Sequence, residues 1–415
     1  MKKLISLAAA ALALVGTLAL PVSAQVNVED PDYYTRFKGQ GKSINVHNWG
    51  EYISDGTDGG MDIIQEFEDL TGIQVNYTTF STNEEVYARL RNGGASYDLL
   101  FPSDYMMSRM IQEGMLNPLN FDNLPNYKYI DESFRNTASD PENLYSTPYT
   151  WGTVVVIYNT TMVDEMDLGS WDILWNEKYL GEILMIGNSR DTFGIALKRL
   201  GYPMNPENQE QLDEALESLK DQKPLTQAYV MDEIFDKMIG GEASIAPYYA
   251  GDALTMMADN PDLSCFVPEE GTNRFIDYVV VPSCSKEQEC AEMFMNFLME
   301  PEVAAANIEY IGYSSPNWAA LELLPPEVTE NPVAYPPDEV IAKTEAWINL
   351  SDEMNLAVDK AWTDLLSSDE EYNRWLIPIL MLLAILASIA INVGRAFRRR
   401  REKAIYESMS PGKRL

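Results

Sequence analysis

Between residues 43 and 101 short β-prone runs alternate with helical patterns, and this alternation limits the fold more than anything else in the chain. Residues 43–46 alternate like a strand. Met61, Ile64, Phe67 and Leu70 fall at helical spacing over 61–70, and Gly72 follows as a stop signal. The Val, Tyr and Thr content of 73–79 predicts a strand, 84–91 a helix, and 97–101 a short strand ending at Pro102. Such a series builds an α/β lobe around a parallel-rich sheet, with ligand loops beyond the carboxyl ends of the strands. Trp49 and the Ser103–Tyr105 stretch fall in those loops. Near Thr150 the pattern changes. Residues 152–159 are strongly β-prone, 191–200 and 207–220 read as helices, 241–246 as a small-residue strand leading into Tyr248-Tyr249, 278–282 as a strand, and 287–299 and 301–308 as helices. Residues 25–41 show no clear period and read as a linker.

The two ends read as signals for export and membrane attachment. Lys2 and Lys3 precede an apolar run from Leu4 to Leu20, and Val22-Ser23-Ala24 offers a small-residue cleavage site, which predicts a signal peptide over 1–24. A second apolar run, 375–393, has 19 residues. As a helix it spans roughly 28 Å, close to the ~30 Å hydrocarbon core of a bilayer. Arg395, Arg398, Arg399, Arg400, Arg401 and Lys403 follow it, so the tail 394–415 is expected on the cytoplasmic side and the body outside. Residues 367–374 form a short acidic spacer. What remains, 25–374, is long enough for two domains.

Charge and residue types narrow the function. The whole chain carries −34; with +2 in the signal and a net +6 in the tail from Arg395, the body stands near −42. That sign disfavours nucleic acid and suits a cationic ligand. His47 is the only histidine, so a His-based metal site or triad would rest on it alone; at the end of an apolar run it reads as a strand-end residue. Cys265, Cys284 and Cys290 leave two readings open, one bridge between Cys284 and Cys290 or three reduced thiols. The run from Asp55 to Gly60 lacks the spaced ligands and closing Glu of a calcium loop and reads as an exposed turn. No metal and no cofactor is expected.

Five separated segments pair aromatic rings with carboxylates or hydroxyls: Asn48-Trp49-Gly50-Glu51-Tyr52, Pro102-Ser103-Asp104-Tyr105, Tyr249-Ala250-Gly251-Asp252, Phe275-Ile276-Asp277 and Ile311-Gly312-Tyr313. Ring faces attract ammonium groups and cover methylenes, while carboxylates neutralise the buried charge. That is the chemistry of a small organic cation site. Asp277 is the most telling member, because a carboxylate inside an apolar run is costly unless it is paired.

At these segments the chain resembles the spermidine/putrescine-binding proteins of ABC importers. The resemblance runs from about Ile44 to Trp347. It includes Pro148-Tyr149-Thr150-Trp151-Gly152, Ser170-Trp171-Asp172-Ile173-Leu174-Trp175, Ala196-Leu197-Lys198-Arg199-Leu200-Gly201-Tyr202 and Ile311-Gly312-Tyr313-Ser314-Ser315-Pro316-Asn317. It implies a two-lobed α/β fold of the periplasmic-binding-protein-like type II class, closing on its ligand about a hinge. The expected lobes are 42–148 with 279–310, and 149–278 with 311–366. The implied ligand residues are Trp49, Glu51, Tyr52, Ser103, Tyr105, Asp191, Tyr249, Asp252, Phe275, Asp277 and Tyr313. Tyr249 and Phe275 stand where the family usually has Trp, and Asp191 where Glu is common. Asp252 resembles the acid of putrescine-preferring members. Asn188 stands where spermidine-binding members place an acid, and Ile348 near an expected Gln.

The implied function is capture of a polyamine, putrescine before spermidine, and its delivery to a permease by a monomeric, membrane-tethered protein. A sensing ectodomain that signals through a membrane partner is the alternative; the tail is too short for a catalytic domain of its own. An enzyme is not expected, since the chain has no His-Glu-x-x-His, Gly-x-Ser-x-Gly or Gly-x-x-x-x-Gly-Lys-Ser/Thr motif.

Overall fold

Among the described residues nine strands make one connected sheet system that carries two separate hydrophobic cores. The structure is a computed structural model and describes residues 26–94 and 96–408. The expected signal peptide, 1–24, lies outside the described residues.

In the first lobe, strand β1 (Ser43–Trp49) runs parallel to β2 (Gln74–Phe80) and to the very short β3 (Leu99–Leu100). Helices α2 (Ile63–Thr71) and α3 (Asn83–Arg91) connect and follow these strands, and α4 (Asp104–Gln112) follows β3. Each helix begins where the sequence supplies a cap or turn. The Asp62 side chain accepts from the Gln65 N–H, Thr82 does the same for Glu85, and Gly72 ends α2 in the left-handed region at φ 71°.

Strand β4 (Ser146–Asn159) links the two lobes. Its first half pairs antiparallel with β9 (Arg274–Val280), which reaches back to β3. Its second half pairs with β7 (Ile245–Tyr249) and β8 (Leu263–Phe266) of the second lobe. There β7 runs parallel to β5 (Ile183–Ile186), and β5 to β6 (Thr226–Val230). Almost every β4 side chain is buried, because both faces of the strand are covered. The strand is longer than the β-prone run 152–159 suggests: Pro148, which has no N–H to give, is accommodated at a register shift between Pro148 and Thr150. A third connection passes at Glu345, which exchanges backbone hydrogen bonds with Thr272 and Arg274.

Helices α5 (Ser189–Arg199), α6 (Gln209–Gln222), α7 (Glu233–Ile239) and α8 (Ala250–Asp259) belong to the second lobe, and α9 (Gln288–Leu298) and α10 (Pro301–Ile311) to the first. Two expected boundaries differ from what is observed. Ile311, Tyr313, Ala320 and Leu324 pack in the first core, because α10 delivers the chain directly into it; Val333 touches the second, and from Leu350 to Leu365 the chain returns to it. The stretch read as a linker is packed as well. A short helix, α1 (Pro31–Thr35), buries Tyr34 completely, and the Tyr34 hydroxyl donates to Glu300 at 2.8 Å. Its polar surroundings come from distant residues, so local periodicity gave no sign of it.

The C-terminal helix runs from Asp352 to Ser408. Val358, Ala361 and Leu365 anchor its start in the second core. The acidic spacer is part of this helix, since 367–374 contains neither Gly nor Pro to break it. The expected membrane run at 375–393 lies largely outside the residues whose side chains are described. Among the described residues no helix is long and apolar enough to cross a membrane. All three cysteines are free, which settles the open reading in favour of thiols. His47 lies inside β1, buried, with Nδ1 2.8 Å from the Thr78 hydroxyl.

Candidate functional site

The carboxyl ends of β1 and β3 face the start of α5, α7 and α8 across a cavity with about 540 Å³ of empty space, its opening to solvent included. Ten of the eleven expected site residues line it: Trp49, Tyr52, Ser103, Tyr105, Asp191, Tyr249, Asp252, Phe275, Asp277 and Tyr313. Glu51 does not. Its backbone is left-handed (φ 47°) and its side chain is exposed beside the mouth. The neighbouring Gly50 takes up the lining position instead.

The walls are ring faces set edge to face. Tyr52 meets Tyr313 at 4.7 Å and 85°, and Tyr249 meets Phe275 at 5.4 Å and 76°. Trp49 is fixed by its indole N–H, which donates to the Phe101 carbonyl at 2.7 Å. Glycines make room for these rings. A Cβ on Gly251 would lie 2.1 Å from the Tyr313 ring, and one on Gly152 would lie 2.9 Å from Phe275. The glycine of Ala250-Gly251-Asp252 therefore lets Tyr313 rest on the first turn of α8, beside Asp252 on the same turn.

Three buried carboxylates alternate with the rings. Asp277 projects from β9, where the Tyr52 hydroxyl donates to Oδ2 at 2.6 Å. Its Oδ1 is buried without a hydrogen-bond partner. Burial pushes its pKa up to about 6, with the hydroxyls of Ser103 and Tyr52 holding it back. Asp191, on the first turn of α5, accepts from the Tyr249 hydroxyl at 2.9 Å and from the Asn273 amide at 3.4 Å. Burial raises it to about 7. Asp252 accepts from the Tyr313 hydroxyl at 2.9 Å. Burial, with the charges of Asp232, Glu51 and Asp277, raises it to about 8. Each phenol thus aims a donor at a carboxylate, while the carboxylates lack a full positive partner.

The buried cation nearest these acids is Arg190 of α5, 4% exposed. Its guanidinium lies 4.7 Å from the Tyr105 ring centroid and 5.1 Å from that of Trp347. It donates to Asn205 and to the Ile348 carbonyl, and Nη1 has no partner. Arg190 stands behind the two rings and does not line the cavity.

Several lining residues were not foreseen: Asn83, Met231, Asp232, Tyr248, Asn273 and Trp347. Asn83 donates to Ser103 Oγ at 3.1 Å and to the Tyr105 hydroxyl at 3.2 Å. No local pattern marks an Asn at a helix start as a site residue. Asn188 lines the cavity, but its side-chain oxygen accepts from the Arg190 N–H, capping α5. Ile348 is half exposed and off the cavity; its neighbour Trp347 is the one inside.

The described lining contains no histidine, cysteine or lysine, and among the described residues no group of His, Cys, Asp and Glu is placed to hold a metal. Rings, uncompensated carboxylates and phenol donors in a buried space can hold a cation with apolar links between its charges. They offer no activated nucleophile.

Comparison with known proteins agrees with this geometry. Residues 62–336 match the family described as bacterial extracellular solute-binding protein. The chain is 33% identical over 335 residues to the spermidine/putrescine-binding periplasmic protein of Salmonella typhimurium, covering 80% of this chain and 91% of that one. It is 27% identical over 345 residues to a putrescine-binding periplasmic protein of Escherichia coli, covering 79% and 92%. Among solved structures, a putative spermidine/putrescine ABC transporter protein from Listeria monocytogenes superposes with a TM-score of 0.74 at 35% identity, over 78% of this chain and 98% of that one.

Proposed function

Because the chain belongs to the bacterial extracellular solute-binding proteins, a family of binding proteins and not of enzymes, we propose that it captures a polyamine outside the cytoplasm and delivers it to an ABC permease. The observation that carries this is the buried Asp277, set between ring faces with one oxygen unpaired. A buried carboxylate without a cation is unfavourable, and an ammonium at that oxygen would relieve it. Relatives named for spermidine and putrescine support the choice of ligand. The test is calorimetric titration of the full chain in detergent with putrescine, spermidine, agmatine and a neutral amino acid. Saturable one-to-one binding of an amine is expected; absence of binding to all of them would remove the polyamine reading.

We take putrescine as the preferred ligand. Asn188 puts a neutral amide, already engaged in capping α5, where a third ammonium would need an acid, and Ile348 stands outside the cavity. Putrescine is therefore expected to bind at least as tightly as spermidine in the same titration. Spermidine binding tighter by about tenfold or more (about 1.4 kcal/mol) would rule this preference out.

We also place the body on the outer face of the membrane, tethered by 375–393. The support is the sequence, an apolar run followed by Arg395 and Arg398–Arg401. A tether would raise the effective concentration of loaded protein at a permease. In fractionated cells the full chain should sediment with membranes, whereas a chain stopped at Ser367 should not; equal distribution of the two would exclude the tether.

A further inference from the structure

Arg190 is a buried cation of the second lobe whose surroundings come largely from the first. It stands on the first turn of α5, one helical turn before Gly194. Those two positions share a helix face, and Trp347 lies against it: a Cβ on Gly194 would stand 2.3 Å from the Trp347 ring. Glycine is unfavourable inside a helix, and here it makes the room that this ring takes. Tyr105, on α4 of the first lobe, has its ring centroid 4.7 Å from the guanidinium, and Trp347 has its own at 5.1 Å. Both rings pack in the first core and both line the cavity. Tyr105 is fixed to the first lobe by its hydroxyl, which donates to Glu84 at 2.9 Å and accepts from the Asn83 amide at 3.2 Å.

This cation lacks the partner that its burial calls for. The side chain is 4% exposed, its hydrogen bonds go to the neutral oxygens of Asn205 and Ile348, and Nη1 is buried with no partner. A buried guanidinium in that state depends on ring faces and a negative field to replace its lost water. The first lobe supplies both, through the Tyr105 ring and the charges of Glu84 and Asp104; its own lobe adds the charge of Asp191. We propose that Arg190 is a positioning residue for capture, an interlobe clasp that stacks on Tyr105 when the cleft closes and holds that wall against the ligand from behind. It does not touch the ligand. The inference rests on the polyamine reading and adds how the loaded site is kept shut. An open cleft carries Tyr105 away with the first lobe and returns water to the guanidinium, so the contact belongs to the closed state alone. A ligand escapes only from the open state. The clasp therefore slows release and leaves capture by the open cleft unaffected.

The test is stopped-flow release of putrescine from the full chain in detergent, read by intrinsic fluorescence, since Trp49 and Trp347 stand in the cavity wall. Arg190→Met keeps an apolar stem and removes the charge; Arg190→Lys keeps the charge but not the planar face. Arg190→Met should speed release by about tenfold and Arg190→Lys by less, both with an association rate within about twofold of the wild type. Without ligand both should melt within a few degrees of the wild type, because a buried charge lacking an ionic partner adds little to the fold. Should Arg190→Met fail to fold, Arg190→Lys carries the same comparison. Tyr105→Leu separates a clasp from a mere support of the second lobe. If Arg190 acts through Tyr105, adding Arg190→Met to Tyr105→Leu should change release by less than about twofold; an undiminished effect in the double variant would overturn the inference. Release that is unchanged or slower in Arg190→Met, or a loss of affinity lying in the association rate, would overturn it as well. If the wild type binds no putrescine, the ligand reading falls and the clasp falls with it.

Discussion

Replacing Asp277 with alanine is expected to abolish polyamine binding, with a loss of about 200-fold or more, because removing one partner of a buried charge pair costs about 3–5 kcal/mol. The reasoning begins in the ligand-free cavity. Asp277 is 4% exposed, and burial already drives its pKa up to about 6. Its partners are hydroxyls, and one oxygen has none. A bound ammonium would supply the full positive charge that this position lacks, so the pair exists only in the complex. The same reasoning predicts an uneven outcome. Asp277→Asn keeps the shape and a neutral contact for Tyr52, so the ligand-free protein should melt no lower than the wild type while binding is lost. Calorimetry and a melting curve on the same preparation separate the two effects. Loss of binding together with a large fall in melting temperature would mean that Asp277 serves the fold; retained binding would mean that the cation lies elsewhere.

How far this could be read from sequence depended on whether the signal was local. The first lobe was legible because β1, β2 and their helices follow one another with clean periodicity and capping residues. Strand β4 was legible only in its second half. Its first half, Ser146 to Trp151, contains a proline, and the pairing that makes it a strand comes from β9, more than 120 residues away. The same reason hid Tyr34, whose partners Asn296 and Glu300 lie far along the chain. In the site, rings and acids clustered in short segments gave themselves away, and ten of the eleven chosen positions line one cavity. Glu51 shared the segment but not the direction, because a left-handed backbone turns it outward. Asp232, Asn83 and Trp347 carried no comparable signal.

Binding of a diamine should strengthen by about a hundredfold between pH 6.5 and pH 8.5, with proton release that shrinks as the pH rises. Three carboxylates set this window. Asp277, Asp191 and Asp252 stand at about 6, 7 and 8 in the ligand-free protein, in each case chiefly through burial. A cationic ligand binds their charged forms, so at pH 6.5 it must first displace protons held by Asp252 and, in part, by Asp191. At pH 8.5 little remains to displace. The sign for stability runs the other way. All three acids have folded pKa values above their unfolded ones, so the stability they contribute is fully present below pH ~4 and is lost as pH rises through about 6 to 8. The ligand-free protein should therefore lose stability on the order of 2–3 kcal/mol from pH 6.5 to 8.5. His47 acts oppositely. Burial lowers its pKa, so its contribution is present above the ordinary histidine range and is lost as pH falls through it; at pH 6.5 that loss has only begun, offsetting about 0.4 kcal/mol of the change. Calorimetry in buffers of different ionisation enthalpy counts the protons, and melting curves with and without putrescine supply the second arm. The expected pattern is a melting temperature without ligand that falls by several degrees toward pH 8.5, and a gap between free and bound forms that widens over the same interval. Affinity independent of pH, with no proton released, would mean that these carboxylates are already charged before the ligand arrives and that the cavity is more open to water than its burial implies.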